Sequence, residues 1–271
     1  LFSDVLGKSS TPVPVCLKQA DLKSSYTVQT PIVSYAYFNV MTLTSSPLQV
    51  MDRFVDEIKG ACDDALAQFH ERHQQAEQIQ RKKINWISPV ITVLTYPELT
   101  KRLQEMNVKM IADDKIQDVR ERAVDLVKRS LDALASDEIL VVPFLAPPYY
   151  PHRSENANQT RIVQSTTNFI KQVATQTTFT VDPVYQGLSD MSYLGLEGDV
   201  DPKQLSDWFA GFNEIYDLPL EALSRLNIPF VNLGPNGKDA HKVSERIDMK
   251  YSFDKALPYF ILMIKILGET R

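Results

Sequence analysis

From Ile32 to Leu43 the residues are β-branched, aromatic or otherwise apolar, with Ser34 and Asn39 as polar interruptions, and this predicts a strand covered on both faces. The period then changes. Ser46 and Pro47 stand where an N-cap and a first helical residue belong, and Leu48, Met51, Phe54, Val55, Ile58, Cys62, Ala65, Leu66 and Phe69 follow at spacings of three and four. A long amphipathic helix is expected, with its polar far end, His70 to Lys83, projecting into solvent. Ile84 to Tyr96 reads as a second strand, and a further strand is open near Val108 to Ile111. A second helix begins at about Asp114, with Ile116, Val119, Ala123, Leu126, Val127, Leu131 and Leu134 on one stripe and the pairs Asp118–Arg122 and Asp125–Arg129 on its exposed face. Ile139 to Leu145 is a short strand closed by Pro147 and Pro148, and a domain boundary is placed there.

The order strand, helix, strand, helix, strand over residues 31–147 is that of a split βαβ sandwich, one sheet covered by two helices. Before it, residues 1–31 mix prolines with serines and threonines and read as a connector. After it come a helix on Ile162 to Val173, a strand through Phe179 to Val184 and the loop GLSDMSYLG. Helical stretches follow Asp201-Pro202 and span Leu220 to Leu226, and Ile228 to Leu233 reads as a buried strand. A last helix from Ser252 or Asp254 to Leu267 carries Leu257, Phe260, Ile261, Ile264 and Leu267, with Gly268 as its C-cap. The fold class expected is α/β.

Composition narrows the classes. The 271 residues suffice for two domains, and 44% hydrophobic with 23% charged residues is an ordinary globular balance. A net charge of -5 gives no general attraction to nucleic acid or anionic lipid, and no run is long enough to span a bilayer. Neither a nucleic-acid nor a membrane partner is expected. Cys16 and Cys62 make no disulfide framework, which suits a reducing, cytoplasmic setting, and the chain opens on Leu1, as a fragment does.

The segment Gly234-Pro235-Asn236-Gly237-Lys238-Asp239-Ala240-His241 leaves a predicted strand, the place where open α/β sheets hold ligands. A neutral imidazole there binds zinc well, and Gly234 and Gly237 let the backbone approach closely; a plain surface-loop histidine fits the same spacing. A P-loop is excluded, because Asn232 replaces its first glycine and Asp239 its hydroxyl residue. Ser189 lacks the glycine of a nucleophile elbow two positions on, where Met191 stands. Asp190, Ser192 and Tyr193 still gather polar groups in one loop, either facing substrate or simply making a turn. His70 and His73 share a helix face without the HExxH order and are read as solvated, and His152 sits in an aromatic hinge with Tyr149 and Tyr150.

The string NIPFVNLGPNGKDAHKVSERID, with DMSYLG before it and TPVPVCLKQADLKSSYTVQTP near the start, resembles the arginine-utilisation members of the dizinc aminoacylase and glutamate-carboxypeptidase family of amidohydrolases. The resemblance implies a connector over residues 1–30, a lid or dimerisation domain over 31–147, and the C-terminal part of a zinc-peptidase-like catalytic domain over 148–271. It implies His241 as a ligand of one of two zinc ions, Asp190 and Tyr193 on the substrate side, and Gly234 and Gly237 shaping the histidine loop. The reaction the resemblance implies is hydrolysis of a small amino-acid or peptide-like substrate, and it implies a homodimer through the lid, a use such lids often have. No stretch supplies the family's earlier His-x-Asp pair, bridging aspartate or Glu-Glu pair, so this chain alone is expected to be inactive and no catalytic residue is assigned. The rival reading is a non-catalytic oligomerisation or binding module.

Overall fold

The chain is a mixed α/β protein in two compact units, Leu1–His152 with Leu196–Arg225 and Arg153–Gly195 with Leu226–Arg271. The structure, a computed structural model, describes residues 5–6, 9–23, 25, 28–151, 160–181, 189–196, 200–226, 228–240 and 242–269. In the first unit β1 (Val5–Leu6) and β2 (Ser9–Ser10) make a minimal ladder, while β3 (Val15–Asp21) and β4 (Ser34–Asn39) make an antiparallel ribbon. The stretch read as a connector therefore holds a seven-residue strand. Its prolines, Pro12 and Pro14, stop short of Val15, so neither removes a donor from the ladder.

Helix α1 (Pro47–Gln80) starts where expected, with Ser46 Oγ accepting from the Gln49 N–H at 3.2 Å and Gln49 Oε1 accepting from the Ser46 N–H at 2.9 Å. The run from Ile84 splits differently. Only β5 (Ile91–Val93) forms a ladder, parallel to β6 (Ile139–Val141), because Thr95 and Glu98 build a capping box that, with Pro97 in the first turn, opens α2 (Tyr96–Glu105). No strand forms over 108–111, and the strands of the described residues lie in four separate pairs rather than one sheet. Helix α3 (Val119–Leu134) keeps the Asp125–Arg129 pair at 2.7 Å, but Arg122 turns to the Ile116 carbonyl at 2.7 Å and Asp118 pairs with Arg120. Asp118 is the N-cap rather than an exposed-face residue, and this removes it from the expected pair.

Helices α2 and α3 cover the β5–β6 pair with Leu94, Leu99, Leu103, Ala123, Leu126 and Val127 buried between them. Residues 196–225, with α5 (Pro202–Asp207) and α6 (Leu220–Arg225), join this core through Ala210 and Ile215 and through backbone bonds between Leu145 and the Trp208 and Ala210 peptides. Gly211 is obligatory there: its φ is +75°, and a Cβ would stand 2.5 Å from Ile215 Cδ1.

The second unit packs α4 (Thr160–Val173) against the C-terminal helix through Phe169, Val173, Tyr259, Met263 and Ile266. Two differences from expectation follow from proline. Ile228 to Leu233 is a half-exposed coil, since Pro229 lacks a donor and Pro235 closes the run. The C-terminal helix is broken at Lys255 into α7 (Met249–Asp254) and α8 (Ala256–Glu269), because the ring of Pro258 conflicts with the carbonyl four residues before it. Gly268 lies inside α8 rather than capping it. Among the described residues no helix is long and apolar enough to cross a membrane.

Candidate functional site

The glycine loop is built as a small hairpin. β7 (Gly237–Lys238) pairs antiparallel with β8 (Arg246–Ile247), and a Cβ on Gly237 would stand 2.7 Å from the Arg246 carbonyl oxygen, so the strands meet this closely only over a glycine. The base is tied down by the Asp248 N–H donating to the Asn236 carbonyl at 2.8 Å and the Asn236 N–H donating to Ser252 Oγ at 3.3 Å. Asp239, in the left-handed region at φ 59°, accepts from the Arg246 guanidinium and from Ser244 Oγ at 3.1 Å. Its carboxylate is thereby committed within the loop. His241 belongs to the connection between these strands and lies outside the described residues, as does His152. Gly234 is exposed, and a Cβ there would meet nothing within 4 Å, so no close approach demands it.

The second predicted loop forms a 3-10 turn over Asp190–Leu194. Ser189 caps it, its Oγ accepting from the Met191 N–H at 3.2 Å, which is the turn chemistry of a serine rather than a nucleophile's placement. Asp190 is exposed and Tyr193 half-buried. The Ile228 N–H donates to the Leu194 carbonyl at 3.2 Å, so the turn is joined by backbone to the segment that leads into the glycine loop.

His70 and His73 are half-buried rather than fully solvated. Both rings pack on Trp86, at 5.2 and 4.2 Å between centroids, and His70 Nε2 lies 3.0 Å from Ser88 Oγ. The signal in the sequence is an i,i+3 histidine face next to Phe69, with Trp86 just past the helix. Cys62 is half-buried and its thiol is pushed up by desolvation and by Asp63, away from the range of a reactive thiolate. A recess of about 230 Å3 in the first unit is lined by Asp52, Asp207, Gln204, Trp208, Leu48 and Pro97, but Lys203 neutralises Asp207 at 2.9 Å.

Among the described residues no three His, Cys, Asp or Glu side chains converge as a metal site. With Asp239 engaged by arginine, these residues do not by themselves fit a two-metal centre.

The chain is 29% identical over 268 residues to Protein RocB of Bacillus subtilis strain 168, a match covering 92% of this chain. The chain is similar to RocB. It is also 31% identical over 261 residues to the uncharacterized protein YqjN of the same organism, covering 90% of this chain. It spans about half the length of these curated relatives, 46% of RocB and 46% of YqjN. No family profile and no solved structure matches the chain.

Proposed function

We propose that this chain is part of a cytoplasmic, metal-dependent amidohydrolase of amino-acid or peptide-type substrates that serves arginine utilisation. In this reading residues 31–147 are a lid, residues 148–271 are the C-terminal part of the catalytic domain, and residues 1–30 connect to a further catalytic segment. The observation that carries it is the likeness to RocB, which runs through nearly all of this chain and includes the GPNGKDAH segment. The β7–β8 pairing supports it, since Gly237–Lys238 and Arg246–Ile247 flank His241 in sequence. His241 is the zinc ligand in this reading, Gly237 shapes the loop, Gly234 flanks it, and Asp190 and Tyr193 face a small substrate. The remaining ligands and the general base come from outside this chain, so no hydrolytic step is assigned to its residues.

The test is elemental analysis of the gene product as first made, with hydrolysis of N-acyl-arginine and of dipeptides followed in parallel. Bound zinc, with both metal and activity lost in His241→Ala, is expected. A metal-free, inactive gene product would sink the reading. One feature favours the second reading, self-association: the β3–β4 ribbon has no third strand among the described residues and exposes Val15, Leu17 and Phe38. A dimer by sedimentation that binds no metal and cleaves nothing supports that reading instead.

A further inference from the structure

Helix α8 is apolar on both sides. Tyr259, Met263 and Ile266 are at most 6% exposed in the core of the second unit, yet Leu257, Phe260, Ile261 and Ile264 are between 46 and 63% exposed. In α7, just before it, Phe253 is 69% exposed and Met249 63%. A helix with apolar residues all round belongs inside a core, not at its edge. Lys265, exposed one turn past Ile261, and Asp254, beside Phe253, flank the stripe.

We propose that this face is an internal packing surface, covered by the part of a relative-length polypeptide that lies outside these 271 residues. More than half of RocB and more than half of YqjN lie outside the match, although 90 to 92% of this chain lies inside it. A relative-length protein thus holds ample further chain to cover one helix. With Met249 and Phe253 included, the exposed parts of the six side chains amount to an area on the order of 700 Å2, near the ~800 Å2 that each partner contributes to a standard interface, so the dilution arm of the test is what separates further chain from a second copy. The inference shares with the proposed function only the expectation of a longer polypeptide; it needs no metal and no activity.

Hydroxyl-radical footprinting of the unsubstituted gene product, read by peptide mass spectrometry, tests it. Met249 is compared with Met106 of α2's C-terminus, which is 48% exposed, and Phe260 with its own rate in urea. The expected result is that Met249 oxidises about tenfold more slowly than Met106 and that Phe260 is protected to a similar degree, at every protein concentration. A Leu257→Cys reporter in a Cys16→Ser, Cys62→Ser background should resist maleimide likewise. Oxidation of Met249 at the Met106 rate overturns the proposal. So does protection that vanishes on dilution to monomers, which would assign the face to a second copy, and so does a gene product of only these 271 residues. Zinc content is measured on the same sample, so loss of the metal reading and loss of this one are told apart.

Discussion

At the scale of single residues, Asp118 shows how much one carboxylate can fix. Its Oδ1 accepts from the Arg120 N–H at 2.8 Å and the Glu121 N–H at 3.3 Å, and its Oδ2 takes the Arg120 guanidinium at 2.9 Å. The Arg120 side chain, ahead of the backbone donors, lowers the carboxyl from 3.8 to about 2. A depressed carboxylate stabilises the fold above its unfolded value and loses that contribution as pH falls through its folded value, here between about pH 4 and pH 2. The side chain is 44% exposed, so water and salt keep the effect small. Asp118→Asn, which still caps the helix, should leave the urea midpoint near neutral pH almost unchanged and flatten its fall between pH 4 and pH 2. Superimposable acid limbs for the two proteins would refute this. Gly237 teaches a different lesson about legibility. The sequence marks it as a loop glycine, but the 2.7 Å approach to the Arg246 carbonyl that makes it necessary comes from a partner nine positions on, and no local pattern encodes that.

Among the elements, those whose ends are set by local chemistry were legible and those set by packing were not. Ser46 and Pro47 announce α1, and the three-four spacing of α3 is unmistakable, because caps and helix faces involve neighbours within one turn. Strand β4 lies inside the apolar run 32–43, though it is exposed at most positions rather than covered on both faces, while β3 lies in a stretch with no sustained apolar alternation to mark it. Helix α2 was hidden for another reason: its capping box lies inside an apolar run whose period says strand. The far end of α1 is exposed at most positions, as its polar pattern predicts, but its histidine face is packed. His73 has a side chain only 13% exposed against Trp86; its Nε2 lies 3.7 Å from Glu77, outside hydrogen-bond reach, while Glu77 Oε1 accepts from the Ile84 N–H at 2.8 Å. The indole thus holds the end of a helix about 50 Å long that buries only Val50, Met51 and Val55 near its start. Trp86→Ala should raise amide hydrogen exchange about tenfold over residues 66–80 while leaving residues 47–56 as they were. Uniform exchange along α1 in both proteins would show that the helix end is held by something else.

For the molecule as a whole, the two units differ in how completely they enclose their cores. The first buries nine side chains in its main cluster, including residues returned to it by the 196–225 segment, whereas the cluster of the second holds five and leaves one face of α8 open. Stability follows apolar area removed from water, so the second unit should be the weaker of the two. The sequence supplies a way to see this, since Trp86 and Trp208, the two tryptophans, both belong to the first unit while α4, α7 and α8 belong to the second. In urea, the far-ultraviolet circular dichroism of this chain should fall in two steps, and the first should pass without change in tryptophan emission. The second step should move both signals together. Coincident transitions by the two probes would mean that the units unfold as one, contrary to this account. If further polypeptide covers α8, as proposed, the first step should shift to higher urea in the longer gene product while the second stays nearly where it was, because only the second unit gains buried apolar surface.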